Sequence, residues 1–337
     1  MSQALPNEGA VFWNRCRFDP SNVGGHYESY FLRGNHPDKP LAFWVRYTIF
    51  APRQHYDDAL GELWAIWFDG EHNRIHAAKK EYPLSTCRFG LEQLDVRVGE
   101  ATLACDKLDG TAIGTPTLSW SMSYQGRESP LLLLPRALYE RSFPKAKAVV
   151  SAPQASFTGT FSVDGEATSV DGWVGSQNHN WGSRHTDEYA WGQVIGFDNA
   201  PDAVLECSTA RLRVGPLWTP WLTLIVLRVD GEEIRLNTMW QALRARQRVR
   251  FFDWHFASRA RGTRVRGRIH AAASSFVALP YYNPPGGTKT CLNSKLAACT
   301  LTIEQAGKPA RTLRSRQRAA FEILTDRSDH GLNFVQI

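Results

Sequence analysis

A histidine and a tryptophan separated by one residue, His179 and Trp181, are the first candidates for chemistry in this sequence. In an extended backbone both side chains point to one face of a strand, and Asn178 and Asn180 point to the other. An imidazole transfers protons near neutral pH, and an indole ring stabilises a developing carbocation. The alternative interpretation is a structural polar corner, in which the amides hydrogen-bond an irregular, glycine-flanked backbone.

An acid inside an apolar run, Glu206, is the second candidate. It lies within Val204 to Cys207, and burial of a carboxylate is costly unless the group is paired or protonated. Glu206 is therefore either a proton donor with a raised pKa or the structural partner of Arg211 or Arg213.

Other polar groupings indicate less chemistry. Glu28 shares a strand face with His26 and Tyr30; this stripe either lines a cavity of the first domain or faces water, and we expect it to face water. The histidines do not have the spacing of a specific metal site, and Gly286-Gly287 lacks the glycine spacing of a phosphate loop. No metal ligand and no cofactor are therefore expected.

The elements that must position these residues are short β-strands. Runs of strand-forming residues recur from Val11 to Tyr124 and again from Phe157 to Glu304, separated by turn signals such as Asp164-Gly165. No amphipathic helix of about 12 residues is evident in the first series. The pattern predicts an all-β protein built from antiparallel sandwiches or barrels, with few short helices.

A proline-interrupted segment, Tyr139 to Gln154, separates the two series of strands and predicts a domain boundary. We therefore predict two domains, residues 1–150 and 151–337. The His179 segment then belongs to the first strand of the second domain.

The aromatic content suits both packed cores and pockets for flat apolar ligands, because the chain of 337 residues has 12 Trp, 17 Phe and 10 Tyr.

The six cysteines lack a CxxC pair, which indicates reduced thiols and a cytoplasmic protein. Residues 1–10 do not resemble a secretory signal, and no apolar window has the length of a membrane span.

An arginine-rich segment supplies much of the net charge of +6. Between Trp240 and His270 nine arginines stand against one acid, Asp253; they are Arg244, Arg246, Arg248, Arg250, Arg259, Arg261, Arg264, Arg266 and Arg268. The first four alternate and would share one strand face. This face is either simply solvated or a peripheral contact with an anionic membrane. No nucleic-acid partner is expected, because no such binding motif accompanies the charge.

Several short motifs resemble those of a known superfamily; they are Gly175-Ser-Gln-Asn-His-Asn-Trp-Gly182, Tyr189-Ala-Trp191, Tyr282-Asn-Pro284 and Asn293-Ser-Lys295. They look like the carotenoid 1,2-hydratases (hydroxyneurosporene synthases), tocopherol cyclases and related lipocalin-like proteins, whose architecture lipocalin-type Diels-Alderases share. The resemblance implies two lipocalin-like antiparallel β-barrels side by side. It also implies hydration or cyclisation of apolar polyenes and isoprenoids without a redox cofactor.

The same resemblance implies roles for individual residues. The hydratase pattern of histidine, one residue and tryptophan falls on His179 and Trp181, and the acid on the following strand corresponds to Glu206. Val204 stands where that family has a tyrosine. The residues expected to bind the substrate are Asn178, Asn180, Trp191, Tyr282 and Asn293.

The sequence thus predicts a cofactor-independent hydratase (lyase) or cyclase (isomerase) that holds an apolar, carotenoid- or isoprenoid-like substrate in a barrel cavity. Its location is expected to be cytoplasmic or peripheral to a membrane. Two alternatives stay open: a lipid or pigment carrier without catalysis, and a pericyclic cyclase that only holds an extended polyene in a folded shape.

Overall fold

Strand pairing divides this protein between residues 182 and 188. The computed structural model describes residues 9–334, in which strands up to Gly182 pair in one large sheet and strands from Glu188 pair in a second. The first sheet comprises β1 (His26–Asn35), β2 (Leu41–Ala51), β3 (Leu60–Asp69), β4 (Arg74–Pro83), β5 (Arg88–Phe89), β6 (Asp95–Val98), β7 (Ala101–Ala104), β8 (Lys107–Ala112), β9 (Leu118–Gln125), β10 (Leu131–Leu132), β11 (Ala146–Val163), β12 (Glu166–Ser169) and β13 (Trp173–Gly182).

The remaining strands follow in chain order, and all but one short ribbon belong to the second sheet. They are β14 (Glu188–Phe197), β15 (Ala200–Arg211), the ribbon β16 (Arg213–Val214) and β17 (Leu217–Trp218), β18 (Leu222–Val229), β19 (Glu232–Leu236), β20 (Arg246–Arg250), β21 (Asp253–Ala260), β22 (Thr263–His270), β23 (Val277–Tyr282), β24 (Thr288–Gln305) and β25 (Arg311–Thr325). Residues 9–334 contain two short α-helices, α1 (Ala10–Asn14) and α2 (Met239–Arg244), and single 3-10 turns at Tyr56–Asp58, Leu84–Thr86, Arg136–Leu138 and Ala273–Ser275.

Both sheets are antiparallel and curl around a core of their own. The first has the order β4-β3-β2-β1-β13-β11-β9-β8-β7-β6-β5, and the second has the order β19-β18-β15-β14-β25-β24-β22-β21-β20. Curling brings β4 against β8 and β9 in the first sheet, and β19 against β21 in the second. The predicted all-β, antiparallel class with few short helices is confirmed, and it takes the form of two large sheets.

Local sequence explains these strands. Along β9 the side chains of Leu118, Trp120, Met122 and Tyr124 are buried and the residues between them are more exposed, as expected for a sheet with one face on a core. The predicted two-residue turn Asp164-Gly165 joins β11 to β12 with positive φ at both residues, the backbone that such a hairpin requires.

Strands β1, β2 and β3 are buried on both faces, because one face covers the core of the first sheet and the other packs against the second sheet. Their inner face carries residues such as Tyr30 and Leu32 into the core of the first sheet. Their outer face carries Phe31 and Trp44 into a separate cluster with Leu279 and Tyr281 of the second sheet. The two sheets therefore pack together through apolar and aromatic side chains.

The His179 segment occupies a different place from the one predicted. Strand β13 pairs with β1 on one side and β11 on the other, so it lies in the middle of the first sheet and does not open the second. The predicted boundary at residue 150 falls inside β11, because this strand of 18 residues tolerates Pro153 at an irregularity in its pairing. The division into residues 1–150 and 151–337 as domains remains a prediction, and residues 1–8 and 335–337 lie outside the described structure.

The glycines of that segment do not form the irregular backbone that a polar corner would require. Gly175 and Gly182 lie within β13, where a Cβ atom would stand 1.8 Å from the carbonyl oxygen of Arg33 and 2.0 Å from that of Lys145, respectively. They allow close approach of neighbouring strands. In residues 9–334, no helix has the length and apolar character needed to cross a membrane.

Candidate active site

A cavity of about 500 Å³ lies between the two sheets. The outer faces of β1, β2 and β13 form one wall, and β14, β15, β23 and β25 of the second sheet form the other. Aromatic side chains line much of it, namely Phe31, Trp44, Tyr189, Trp191 and Tyr281. A pocket of this size and character suits an apolar small molecule.

Glu206 is the buried acid of this cavity, with only 3% of its surface exposed. Its Oε1 accepts a hydrogen bond of 2.6 Å from the indole nitrogen of Trp191, and its Oε2 accepts one of 3.0 Å from Nε2 of Gln193. Burial raises the pKa of the Glu206 carboxyl from 4.5 to about 7, although both hydrogen bonds oppose the shift. The group can therefore hold and release a proton near neutral pH.

Gln193 links Glu206 to the opposite wall. Its Nε2 also donates to Oδ1 of Asn178 on β13 at 2.9 Å, and its Oε1 accepts from Nε of Arg33 at 2.6 Å and from the hydroxyl of Ser176 at 2.8 Å. Every one of these side chains is buried. The network joins the sheets and fixes the position of the carboxyl group.

A buried ion pair supports the cavity behind Trp191. Lys295, with no exposed surface, donates to Oε1 of Glu322 at 2.7 Å and to Oδ1 of Asn293 at 2.5 Å, and Asn293 donates to the same glutamate oxygen at 3.1 Å. Glu322 lies on the cavity wall and stands beside both Trp191 and Asn293 in the sheet register. Asn293 is thus a support of the wall, one layer behind the position predicted for it.

His179 and Trp181 point to the opposite face of β13, into the first sheet, as the alternation with Asn178 and Asn180 predicts. His179 borders the cavity, but its imidazole is fully buried and stacks on Tyr30 with ring centroids 4.3 Å apart. Nδ1 lies 2.5 Å from the carbonyl oxygen of Trp13, and Nε2 lies 2.8 Å from Oε1 of Glu28. Both ring nitrogens are therefore occupied by protein groups.

Glu28 is buried, so the expectation that its stripe faces water is wrong. The carboxylate has no exposed surface and accepts hydrogen bonds from His179, the Tyr30 hydroxyl at 2.9 Å, and the Arg17 backbone N–H at 2.8 Å; His26 Nε2 lies 2.9 Å from its second oxygen. Burial raises the pKa of Glu28, but hydrogen bonds from the two histidines outweigh it and hold the pKa well below its usual range. The segment from α1 to Arg17 covers this pair.

Of the other residues predicted to bind the substrate, some line the cavity and one is directed away from it. Asn178, Asn180 and Trp191 line the cavity. Tyr282 is directed away from it, where it packs with Phe50 at 5.2 Å between ring centroids, and its neighbour Tyr281 lines the wall instead. The alternation of β23 places only one of two successive tyrosines on each face.

Sequence reasoning missed three cavity residues, Glu322, Arg46 and His185, and also Gln193, which holds the Glu206 carboxyl from behind the wall. Gln193 lies two residues after Trp191 and directly opposite Glu206, so strand alternation offered a signal. Arg46 and Glu322 are charged residues inside apolar runs, the same signal that identified Glu206. His185 lies in the connection between the sheets; burial, reinforced by the charge of Arg46, lowers the pKa of His185 to about 3.

The arginine-rich segment lies beside the cavity but outside it. Arg246, Arg248 and Arg250 occupy one exposed face of β20, as their alternation predicts, whereas Arg244 ends helix α2. Helix α2 borders the cavity through Met239 and Ala242, and on its other side Trp240 and Arg244 line a surface groove of about 480 Å³ with Arg246, Arg259 and Arg264.

Comparison with known proteins identifies relatives at the level of the fold. No protein-family model matches the sequence. An uncharacterized protein of Mycobacterium tuberculosis, present in strains CDC 1551 and H37Rv, is 27% identical over 299 residues, which cover 85% of this chain and 83% of that protein.

Solved structures extend the comparison across almost the whole chain. Kievitone hydratase from Nectria haematococca has a TM-score of 0.61 at 12% identity and covers 91% of each chain. A protein described as AttH from Nitrosomonas europaea has a TM-score of 0.56 at 14% identity, covering 96% of this chain and 99% of that one. CghA, also solved with Sch210972, has a TM-score of 0.57 at 10% identity, covering 91% of this chain and 89% of that one. The predicted resemblance is thus confirmed as a shared fold: this chain has the two-sheet, lipocalin-like architecture of kievitone hydratase, AttH and CghA.

Proposed function

We propose that this protein is an enzyme that adds a proton from Glu206 to an apolar, unsaturated small molecule held in the cavity between the sheets. The observation that carries the proposal is a buried carboxyl with a pKa of about 7 on the wall of an aromatic cavity. General acids work best when their pKa lies near the operating pH. A carboxyl without function would be costly to retain there.

The proposed reaction needs no partner beyond substrate and water. Protonated Glu206 transfers its proton to one carbon of a C=C bond, and the adjacent carbon becomes cationic. The rings of Trp191, Trp44 and Tyr281 stabilise that charge. In hydration, water adds to the cation and its surplus proton returns to the Glu206 carboxylate, so that the net change is addition of H2O. In cyclisation, a second C=C bond attacks the cation and a proton is lost to the carboxylate, which leaves an isomer of the substrate.

In this proposal His179 and Trp181 are positioning residues. His179 pairs with Tyr30 in the register of β13 and β1, and its neighbour Asn178 reaches Glu206 through Gln193. The buried pair His179–Glu28 fixes β13, and β13 presents Asn178 and Asn180 to the cavity. The carotenoid- or isoprenoid-like identity of the substrate is part of the same proposal, supported by the volume and the aromatic walls of the cavity.

The second candidate function is a pericyclic cyclase, favoured by the fold shared with CghA and by the shape of an aromatic cavity. Such an enzyme works by holding the substrate folded, so it does not require a proton from Glu206. The third is a carrier that binds the same molecules unchanged.

The test is incubation of wild-type protein and Glu206→Gln with an apolar extract of the producing cells, in H2O and in D2O, followed by mass spectrometry. We expect a product heavier by one water, or an isomer, with deuterium on carbon, formed at least about 100-fold more slowly by the variant. An isomer formed equally by both proteins without carbon-bound deuterium would indicate the pericyclic reaction. Recovery of unchanged ligand alone would indicate the carrier.

We further propose that the mouth of this cavity rests on an anionic lipid surface. Met239, Trp240 and Leu243 of helix α2 are exposed, with 71% of Trp240 accessible, and Phe143 of the cavity rim is also exposed. In residues 9–334, Arg244, Arg246 and Arg259 of the adjoining groove have no acid within ion-pair distance. Exposed apolar residues next to unpaired cations are typical of interfacial binding, and this position would let an apolar substrate pass directly from lipid to cavity.

A further inference from the structure

Arg46 is a buried cation on the cavity wall with little of its hydrogen-bonding capacity used. Only 4% of the residue is exposed. Nε and Nη2 donate to the same hydroxyl oxygen, that of Ser29, at 3.0 and 2.6 Å, and the guanidinium lies 4.2 Å from the ring centroid of Tyr281. Within residues 9–334 no carboxylate lies at ion-pair distance from it, although a guanidinium offers five N–H donors.

Two other cations buried between the sheets, Lys295 and Arg33, are better satisfied. Lys295 pairs with Glu322, and Arg33 donates to Oε1 of Gln193, to Oδ1 of Asn35 and to backbone carbonyl groups. The glutamates that face Arg46 electrostatically are Glu62 and Glu322. Each is already neutralised by a lysine, because Lys79 lies 2.5 Å from Glu62 and Lys295 lies 2.7 Å from Glu322. Arg46 alone among these cations faces the cavity without a dedicated partner.

A second donor without an acceptor lies in the same wall. The indole nitrogen of Trp44, whose residue is 1% exposed, has no hydrogen-bond partner in the described structure, and the ring of Trp44 lies 6.0 Å from the Arg46 guanidinium. Buried donors, above all charged ones, are costly unless an acceptor is supplied. Within residues 9–334 the protein supplies one hydroxyl oxygen to Arg46 and no acceptor to the Trp44 indole, so a ligand that carries an acceptor would satisfy both groups.

We propose that the molecule bound in this cavity carries a carboxylate or another oxyanion that pairs with Arg46. The inference rests on the proposed function only in that the ligand occupies the same cavity. Guanidinium and carboxylate form short, charge-assisted hydrogen bonds in a forked geometry, which would anchor one end of an otherwise apolar molecule. Arg46 is then a specificity-determining residue.

The anchor and the proton donor lie on different walls of the cavity, since Arg46 belongs to β2 of the first sheet and Glu206 to β15 of the second. Arg46 and Asn178 both stand opposite Phe31 in the sheet register, one strand away on either side. Asn178 shares the Gln193 amide with Glu206. The substrate class is therefore an unsaturated apolar acid whose acid group binds one wall and whose reactive bond faces the other.

Two polyene probes with one skeleton test this inference: retinoic acid and retinol, which differ in a carboxylate and an alcohol. Binding to the full-length protein is followed by quenching of tryptophan fluorescence at pH 8. We expect retinoic acid to bind the wild-type protein at least about tenfold more tightly than retinol, because charge-assisted hydrogen bonds are about twice as strong as neutral ones. Arg46→Met should abolish the preference and leave retinol affinity within about threefold.

Three further variants complete the design. Arg46→Lys, which keeps the charge, should retain part of the preference and shows whether loss in Arg46→Met reflects charge or misfolding. Arg141→Met removes an exposed arginine from the cavity rim and should leave the preference unchanged. Glu206→Gln should also retain it, since the proton donor is not the anchor. Equal affinity of the two probes for wild-type protein, no binding of either, or a preference that survives Arg46→Met would overturn the inference. Loss of the proposed reaction chemistry would appear only in turnover and would leave these binding results intact.

Discussion

The indole nitrogen of Trp191 donates a hydrogen bond of 2.6 Å to Oε1 of Glu206. This bond stabilises the ionised carboxylate, whereas burial in the cavity stabilises the protonated form. The two effects leave the pKa of Glu206 at about 7, so the group is divided between proton donor and proton acceptor at physiological pH. The hydrogen bond from Trp191 therefore helps to set the pKa of the group that we propose as the proton donor.

Removal of this donor should move the pH dependence of the reaction. In Trp191→Phe the Glu206 carboxylate loses a hydrogen bond, so its pKa rises and the alkaline limb of kcat/KM shifts upward by up to about one pH unit. Trp44→Phe is the matched control, because Trp44 lines the same cavity and its indole nitrogen has no partner in residues 9–334. An equal shift in both variants would show that the effect comes from cavity polarity and not from the hydrogen bond.

Glu206 should also make the folded protein less stable as the pH rises. The native carboxyl keeps its proton up to about pH 7, while the unfolded chain loses it near 4.5, so the native state binds more protons between these values. Stability contributed by the protonated form is therefore present below 4.5 and is lost as the pH rises to about 7. Urea unfolding at pH 4.5 and pH 8 should show wild-type protein losing roughly 3 kcal/mol relative to Glu206→Gln. Parallel stability curves for the two proteins would mean that Glu206 is not buried in protonated form.

The pair His179–Glu28 should contribute mainly to stability. His179→Ala leaves the buried Glu28 carboxylate without its hydrogen-bond partner at 2.8 Å, which should lower the free energy of unfolding by about 3–5 kcal/mol. His72→Ala is the control, since His72 also faces a carboxylate, Asp69, but its side chain is 66% exposed; no measurable change is expected there. Because the pKa of Glu28 is depressed, stability from this group is present above about pH 4.5 and is lost at lower pH.

The same variant decides between the two roles of His179. Catalysis by His179 itself, as the sequence motif predicts, would lower turnover by roughly 100-fold or more with an unchanged free energy of unfolding. A positioning role predicts the reverse order of effects: a large loss of stability, and turnover that recovers in part when Glu28→Gln removes the unpaired charge.

Lipid binding is tested by co-sedimentation with vesicles of phosphatidylcholine, alone or with phosphatidylserine. Arg246→Ser combined with Arg259→Ser should reduce binding to the anionic vesicles by roughly 30-fold, at about 1 kcal/mol for each arginine near the surface. Arg88→Ser combined with Arg97→Ser removes the same charge from exposed positions of the first sheet and should have no such effect. Equal binding of wild-type protein to both kinds of vesicle would contradict the electrostatic part of the proposal.

Strand alternation predicted much of the fold and part of the site. The all-β class, the Asp164-Gly165 turn and the opposite faces of Asn178 and His179 all follow from a period of two residues, which is a local property. The burial of Glu206 followed from one acid in an apolar run. These features depend on residues that are close together in the chain, and such neighbours can be read directly from the sequence.

Pairing between distant strands was not predictable in the same way. β13 joins β1, and nothing local to Trp173–Gly182 indicates that partner, so the segment was placed in the wrong sheet. For the same reason His179 was associated with Glu206, although the histidine meets Glu28, an acid 151 residues away. The cavity combines residues from both sheets, and Arg46 and Glu322 become recognisable as wall residues only after the sheets are placed face to face.

The protonation state of Glu206 is the most direct test of the account. Infrared difference spectra between wild-type protein and Glu206→Gln, recorded from pH 5 to pH 9, isolate the absorption of this one carboxyl group. We predict a protonated-carboxyl band at pH 6 that is replaced by carboxylate absorption with a midpoint at about pH 7. A carboxylate already fully ionised at pH 6 would contradict the assignment of Glu206 as the proton donor.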